Sequence, residues 1–158
     1  MKRPVAVLAS SVVVGALAAA SSAAPQTATL QIQHVVRGCH TWSLNGAPDR
    51  VNQVVGLARG GTILITNDDL MVQDLVKTAG PAVVIKLVRQ SHMGTMPMQM
   101  RMGDKASPYA MAHMGAQLRV TLPTAGVYHF KLVDRGDYFK NIKTIGPDNK
   151  PTLTVKVR

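Results

Sequence analysis

Glutamate is absent from this 158-residue chain, and all eight acidic residues are aspartates. That removes the HExxH metalloprotease helix and any paired-glutamate acid/base set. A Ser-His-Asp nucleophile elbow and a glycine-rich phosphate loop are missing too, so the chain reads as a binding protein and not as an enzyme. Cysteine occurs once, at Cys39, which rules out an intramolecular disulfide. Aromatics make up 4% of residues and the basic residues are scattered. No stacking platform or recognition helix emerges, and nucleic acid is not an expected partner. Helix signals are scarce beyond the first two dozen residues. No later apolar run approaches membrane length, so no transmembrane segment is expected after leader removal.

The N-terminus reads as a secretory signal peptide over residues 1–24. Lys2 and Arg3 form a basic start, Val5 to Ala20 an apolar stretch, and Ala20-Ser21-Ser22-Ala23-Ala24 a small-residue cleavage zone. No lipobox cysteine follows, so a secreted or periplasmic location is expected. Residues 25–158 then form one domain with a proper core. Loss of Lys2 and Arg3 leaves 16 basic residues against 8 acidic ones, a charge of +8. Such a balance suits anionic cell-envelope material or an acidic partner protein, and equally a solvated cationic surface.

What is abundant is methionine. Seven of the 22 residues from Met93 to Met114 are methionine: Met93, Met96, Met98, Met100, Met102, Met111 and Met114, flanked by His92 and His113. A thioether is a soft, uncharged donor that suits Cu(I) far better than Ca(II), Mg(II) or Zn(II). Met96, Met98, Met100 and Met102 alternate with other residues, so an extended chain would set them on one face, about 7 Å apart. The segment carries Gly94, Pro97, Gly103 and Pro108, and no β-branched aliphatic residue, which makes poor core. Adaptable packing or a sticky partner surface is the competing reading, and sacrificial oxidation of exposed thioethers a third.

Short β-branched runs between Gly, Pro, Asn and Asp predict strands at Thr29–Val36, His40–Leu44, Gln53–Leu57, Thr62–Asn67, Gln73–Thr78, Val83–Val88, Gln117–Leu122, Gly126–Leu132 and Leu153–Val157. This rhythm indicates an all-β sandwich or barrel. Residues 92–115 interrupt it as a long Met-rich insertion without evident strand.

Two segments resemble the cupredoxin (small blue-copper-like) family. Leu57-Ala58-Arg59-Gly60-Gly61-Thr62-Ile63-Leu64-Ile65-Thr66-Asn67-Asp68-Asp69 is similar to its glycine turn, strand and Asn-x-Asp loop. Val120-Thr121-Leu122-Pro123-Thr124-Ala125-Gly126-Val127-Tyr128-His129-Phe130 resembles its strand–Pro–Gly–x-Tyr-x-Phe hairpin, with Thr152 to Lys156 as closing strand. The resemblance implies a Greek-key β-sandwich, with a general immunoglobulin-like sandwich as the alternative. It also implies copper ligands that are not preserved in place. Leu70-Met71-Val72-Gln73-Asp74 holds no histidine where the first ligand belongs, and Met71 is the metal-competent side chain near it. Lys131 to Phe139 holds no cysteine, histidine or methionine. A blue-copper centre needs a thiolate and two imidazoles, so the usual electron-transfer site is not expected.

The thiol sits upstream, in Arg37-Gly38-Cys39-His40-Thr41-Trp42-Ser43. On a regular strand Cys39 and His40 face opposite ways; a bulge at Gly38 would re-aim them. Cys39 is read as a buried small hydrophobe, a metal ligand or a reactive thiol, with His34 as another candidate partner. His34 and His40 otherwise read as strand-surface histidines, His129 as structural, and Trp42 as core or rim packing. The expected function is capture of copper, Cu(I) favoured and Cu(II) possible, by His92, Met93, Met96, Met98, Met100, Met102, Met111, His113 and Met114, with Cys39, His40 and Met71 as further candidate ligands. The alternatives are a metal-free cationic envelope module and an electron carrier with a relocated site using Cys39.

Overall fold

The computed structural model describes residues 26–36, 39–69, 71–90, 109–134 and 150–158. The expected signal peptide (residues 1–24), His92, Met93 to Met102 and the stretch 135–149 lie outside these residues. Among the described residues ten strands are present: β1 (Thr27–Val36), β2 (Cys39–Leu44), β3 (Asn52–Leu57), β4 (Thr62–Asn67), β5 (Gln73–Ala79), β6 (Val84–Arg89), β7 (Ala110–Met111), β8 (Gln117–Thr121), β9 (Gly126–Asp134) and β10 (Thr152–Val157). Among the described residues there is no helix.

The strands form two five-stranded sheets, ordered β2-β1-β4-β8-β6 and β3-β10-β9-β5-β7. Both are mixed, because β1 runs parallel to β4 and β10 parallel to β3. Each strand places alternate residues on opposite faces, and the burial pattern follows: β4 alternates half-buried and buried, β3 exposed and buried. The inward faces carry Leu30 and Ile32, Ile63 and Ile65, Leu118 and Val120 from one sheet. Tyr128, Phe130, Leu132, Leu153 and Val155 come from the other. Burying one such aliphatic side chain stabilises the fold by about 1.5–3 kcal/mol, so this two-layered interior decides the sandwich architecture. Trp42 belongs to it fully: it is buried, and its Nε1 donates to the Val51 carbonyl at 3.0 Å.

All nine strands expected from the sequence form, with ends differing by up to two residues. The tenth, β7, was not expected. It falls inside 92–115, where the described part from Tyr109 onward returns to the sheet by pairing Met111 with Gln73 and Ala110 with Asp74.

The register fixes which connections share an end. At one end, tight links join β3 to β4, β5 to β6 and β8 to β9. The other end, the top, collects the β1–β2 link, the β4–β5 loop, the departure of the chain after β6, its return at β7, and the departure after β9. Four pairings define this top end: Ile32 with Asn67, Gln117 with Thr66 and with Arg89, and Gln73 with Asp134.

Candidate metal centre

Inward parity on β1 runs Ala28, Leu30, Ile32, and the next position of that face is His34. On β2 the inward face carries His40 and then Trp42. His34 and His40 are a cross-strand pair in the β1–β2 hairpin, which brings their rings to 5.5 Å between centroids, edge to face at 79°. The two imidazoles thus occupy the last inward layer at the top rim. His40 is 1% exposed, so it is not the surface histidine that its sequence context suggested. The described irregularity in the hairpin lies between His34 and Val36 on β1, beyond the His34–His40 pair, and Gly38 lies outside the described residues.

The third group comes from the β4–β5 loop. Asn67 ends β4 with its side chain fully buried. Its Oδ1 accepts the Asp69 backbone N–H at 3.0 Å, and Asp69 Oδ1 accepts the Met71 N–H at 3.2 Å. Two successive Asx turns therefore fold Asn67-Asp68-Asp69 over the rim and aim the Asp69 carboxylate inward. Asn67 Nδ2 also donates to the carbonyls of Met71 at 2.9 Å and Met111 at 3.1 Å, which ties β7 to the same loop.

His40 Nδ1 donates to Asp69 Oδ2 at 2.8 Å, and His34 Nδ1 stands 3.8 Å from Asp69 Oδ1. Gln73 Nε2 donates to Asp69 Oδ2 at 3.1 Å and lies 3.4 Å from His40 Nδ1. Gln73 Oε1 is buried without a hydrogen-bond partner among the described residues. Burial works against the charge on Asp69. The His40 hydrogen bond, the Met71 N–H and the charges of both histidines outweigh it and hold its carboxyl below the ordinary value. His34, His40 and Asp69 each offer one ligand atom, all within 4.8 Å of one another. Two imidazoles and a carboxylate suit Zn(II), Cu(II) or Fe(II). This donor set is not a blue-copper set and does not by itself select copper.

The expected site residues are distributed as follows. His40 is in the cluster. Met71 is buried and follows Asp69 by two residues in the same loop. Met111 is fully buried in the central core, so its side chain packs inward and is not held on an outer flap. His113 is exposed and Met114 half-buried, just before β8. Cys39 is the first residue of β2, paired with Val36, and its side chain lies outside the described residues. So do His92, Met93, Met96, Met98, Met100 and Met102. His129 is on the outer face of β9, with Nδ1 3.2 Å from the Thr154 hydroxyl. Asp69 and Gln73 were missed by the sequence reading, which treated Met71 as the metal-competent residue of that loop. Inward parity would have flagged His34, and the Asx-turn pattern would have flagged Asp69.

No protein-family model matches the chain, and no curated protein matches it. Among solved structures it is similar to a cysteine protease inhibitor from Entamoeba histolytica, at 13% identity and TM-score 0.38, over 66% of this chain and 85% of that one. A multi-copper oxidase from Pediococcus acidilactici matches at 7% identity and TM-score 0.37, over 93% of this chain and 29% of the oxidase. An inclusion body protein from Burkholderia cenocepacia matches at 9% identity and TM-score 0.34, over 87% of this chain and 97% of that one. Scores this low carry no argument about function.

Proposed function

We propose that this chain is an exported copper-binding protein on a cupredoxin-like Greek-key β-sandwich. It captures Cu(I) through the thioethers of the Met-rich segment, for sequestration, delivery or tolerance. The observation that carries this reading is the shared top end. The chain leaves β6 toward Met93 to Met102 there, and returns at Met111, which pairs with Gln73 beside Asp69 and His40. Copper is chosen by the sulfurs, since neutral thioethers favour the soft monovalent ion. With Met111 in the core, capture falls to Met93, Met96, Met98, Met100, Met102 and Met114, with His92 and His113 alongside. The test is an anaerobic competition titration of the purified protein against a chromophoric Cu(I) chelator. Wild type takes at least one equivalent. Changing Met96, Met98, Met100 and Met102 together to Leu weakens uptake at least tenfold. No transfer to wild type, or equal transfer to the variant, rejects the reading in favour of a metal-free cationic module.

A further inference from the structure

We infer that His34, His40 and Asp69 form a mononuclear site for a divalent transition-metal cation of the Cu(II)/Zn(II) class, built from nitrogen and oxygen donors. The site stands on its own geometry and does not depend on Cu(I) capture.

The first argument is spacing. Around a tetrahedral ion with bonds of about 2.0–2.1 Å, neighbouring ligand atoms lie about 3.3 Å apart. The two nitrogen–carboxylate separations here, 2.8 Å to Oδ2 and 3.8 Å to Oδ1, straddle that value, and one ligand atom from each residue lies within 4.8 Å of the others. An ion would replace the proton between His40 Nδ1 and Asp69 Oδ2 and draw the His34 ring toward the carboxylate. The proton leaves to solvent, so binding weakens as pH falls.

The second argument is independent of those three side chains. Gln73 is fully buried on β5, and its amide nitrogen faces Asp69 while its oxygen lacks a hydrogen-bond partner among the described residues. A buried amide oxygen without a partner is costly, and beside three metal-competent groups it is a fourth donor or an acceptor for a metal-bound water.

Preorganisation and access complete the case. Two Asx turns hold the carboxylate in place before any ion arrives, so little ordering remains to be done on binding. The His34 side chain is 40% exposed and opens the site to solvent, whereas His40 and Asp69 close it from below. Two imidazoles with a carboxylate disfavour Ca(II) and Mg(II), which require more oxygen ligands, and these three hard or borderline donors disfavour Cu(I).

The experiment adds Cu(II) alone to the purified protein and reads low-temperature electron paramagnetic resonance. Wild type is expected to bind one equivalent with nitrogen hyperfine coupling from two imidazoles. His34→Ala loses one nitrogen and at least tenfold in affinity, while His129→Ala, on the outer face of β9, binds as wild type. Because a histidine variant can fail to fold, a second measurement uses wild type only. One equivalent of diamagnetic Zn(II) is expected to move the ring nitrogen resonances of both His34 and His40. Cu(II) binding that survives His34→Ala, or falls equally in His129→Ala, overturns the site. So do unmoved His34 and His40 resonances. Failure of Cu(I) capture with these results intact leaves the site standing.

Discussion

Replacing Asn67 with Ala tests how the top of the sandwich is held. The Asn67 side chain is fully buried and makes three hydrogen bonds, donating to the Met71 and Met111 carbonyls and accepting from the Asp69 N–H. Alanine removes all three and leaves two carbonyls and one N–H in a site without compensating partners. A net hydrogen bond contributes about 1 kcal/mol, and a buried group left unsatisfied costs about 1–3 kcal/mol. Carbonyls tolerate the loss better than the N–H, because each has a second lone pair. The expected loss is about 3–5 kcal/mol, a large share of the roughly 5–15 kcal/mol typical of a whole domain. Trp42 supplies the assay, since it is the chain's one tryptophan and is fully buried. Guanidinium unfolding followed by its fluorescence gives the free energy directly. A loss under about 1 kcal/mol at unchanged m-value would refute the view that Asn67 bolts the β4–β5 loop to β7.

Three further outcomes are expected. In metal-free protein, the lowered Asp69 carboxyl adds stability that is fully present above the ordinary value of about 3.9 and is lost as pH falls through its lowered folded value. The gap in urea midpoint between wild type and Asp69→Asn should therefore be widest above the ordinary carboxylate range and close as pH falls through the lowered folded value; a gap constant with pH would contradict the assignment. Gly80 has φ of +103°, and a Cβ there would meet the Val127 carbonyl oxygen at 2.5 Å and Tyr128 Cα at 2.8 Å. Gly80→Ala should cost about 2–5 kcal/mol. Gly60→Ala, with φ of +79° and open space around it, should cost only the backbone strain, and equal losses would remove the clash from the account. Tyr128→Phe deletes the hydroxyl donated to the Thr124 carbonyl at 2.5 Å and should cost about 1 kcal/mol in the same unfolding assay.

The sandwich was legible because its strands alternate. Leu118-Arg119-Val120 and Leu153-Thr154-Val155 write the pleat directly into the sequence, and the turn residues mark where each strand stops. β7 was not legible: Ala110–Met111 is two residues long, too short for any period to register. Met111 misled for a related reason. Methionine is equally at home as core filler and as soft ligand, and its place in a run of methionines concealed that β7 returns it to the interior. Asp69 was overlooked because a carboxylate in a loop is ordinarily solvated; only the Asx turns from Asn67 and to Met71 show that this one is folded inward.

The two histidines carry a more general lesson about register. A one-residue slip in β1 would move Leu30 and Ile32 to the outer face, so the core fixes the strand and the strand fixes His34. Pairing of Leu30 with Leu44, Ile32 with Trp42 and His34 with His40 then follows as one consistent count along the hairpin. The core thereby puts two imidazoles at the inward-facing rim, where the buried ring of His40 is costly unless something there uses its nitrogens. Asp69 meets that demand from across the rim, and Gln73 backs it. The residues that the cupredoxin resemblance picked out, Asn67 and Asp69, thus act as the turn that delivers a carboxylate to imidazoles supplied by the β1–β2 hairpin. This division of labour explains how a cluster with metal-binding chemistry forms even though the β4–β5 loop itself carries no histidine.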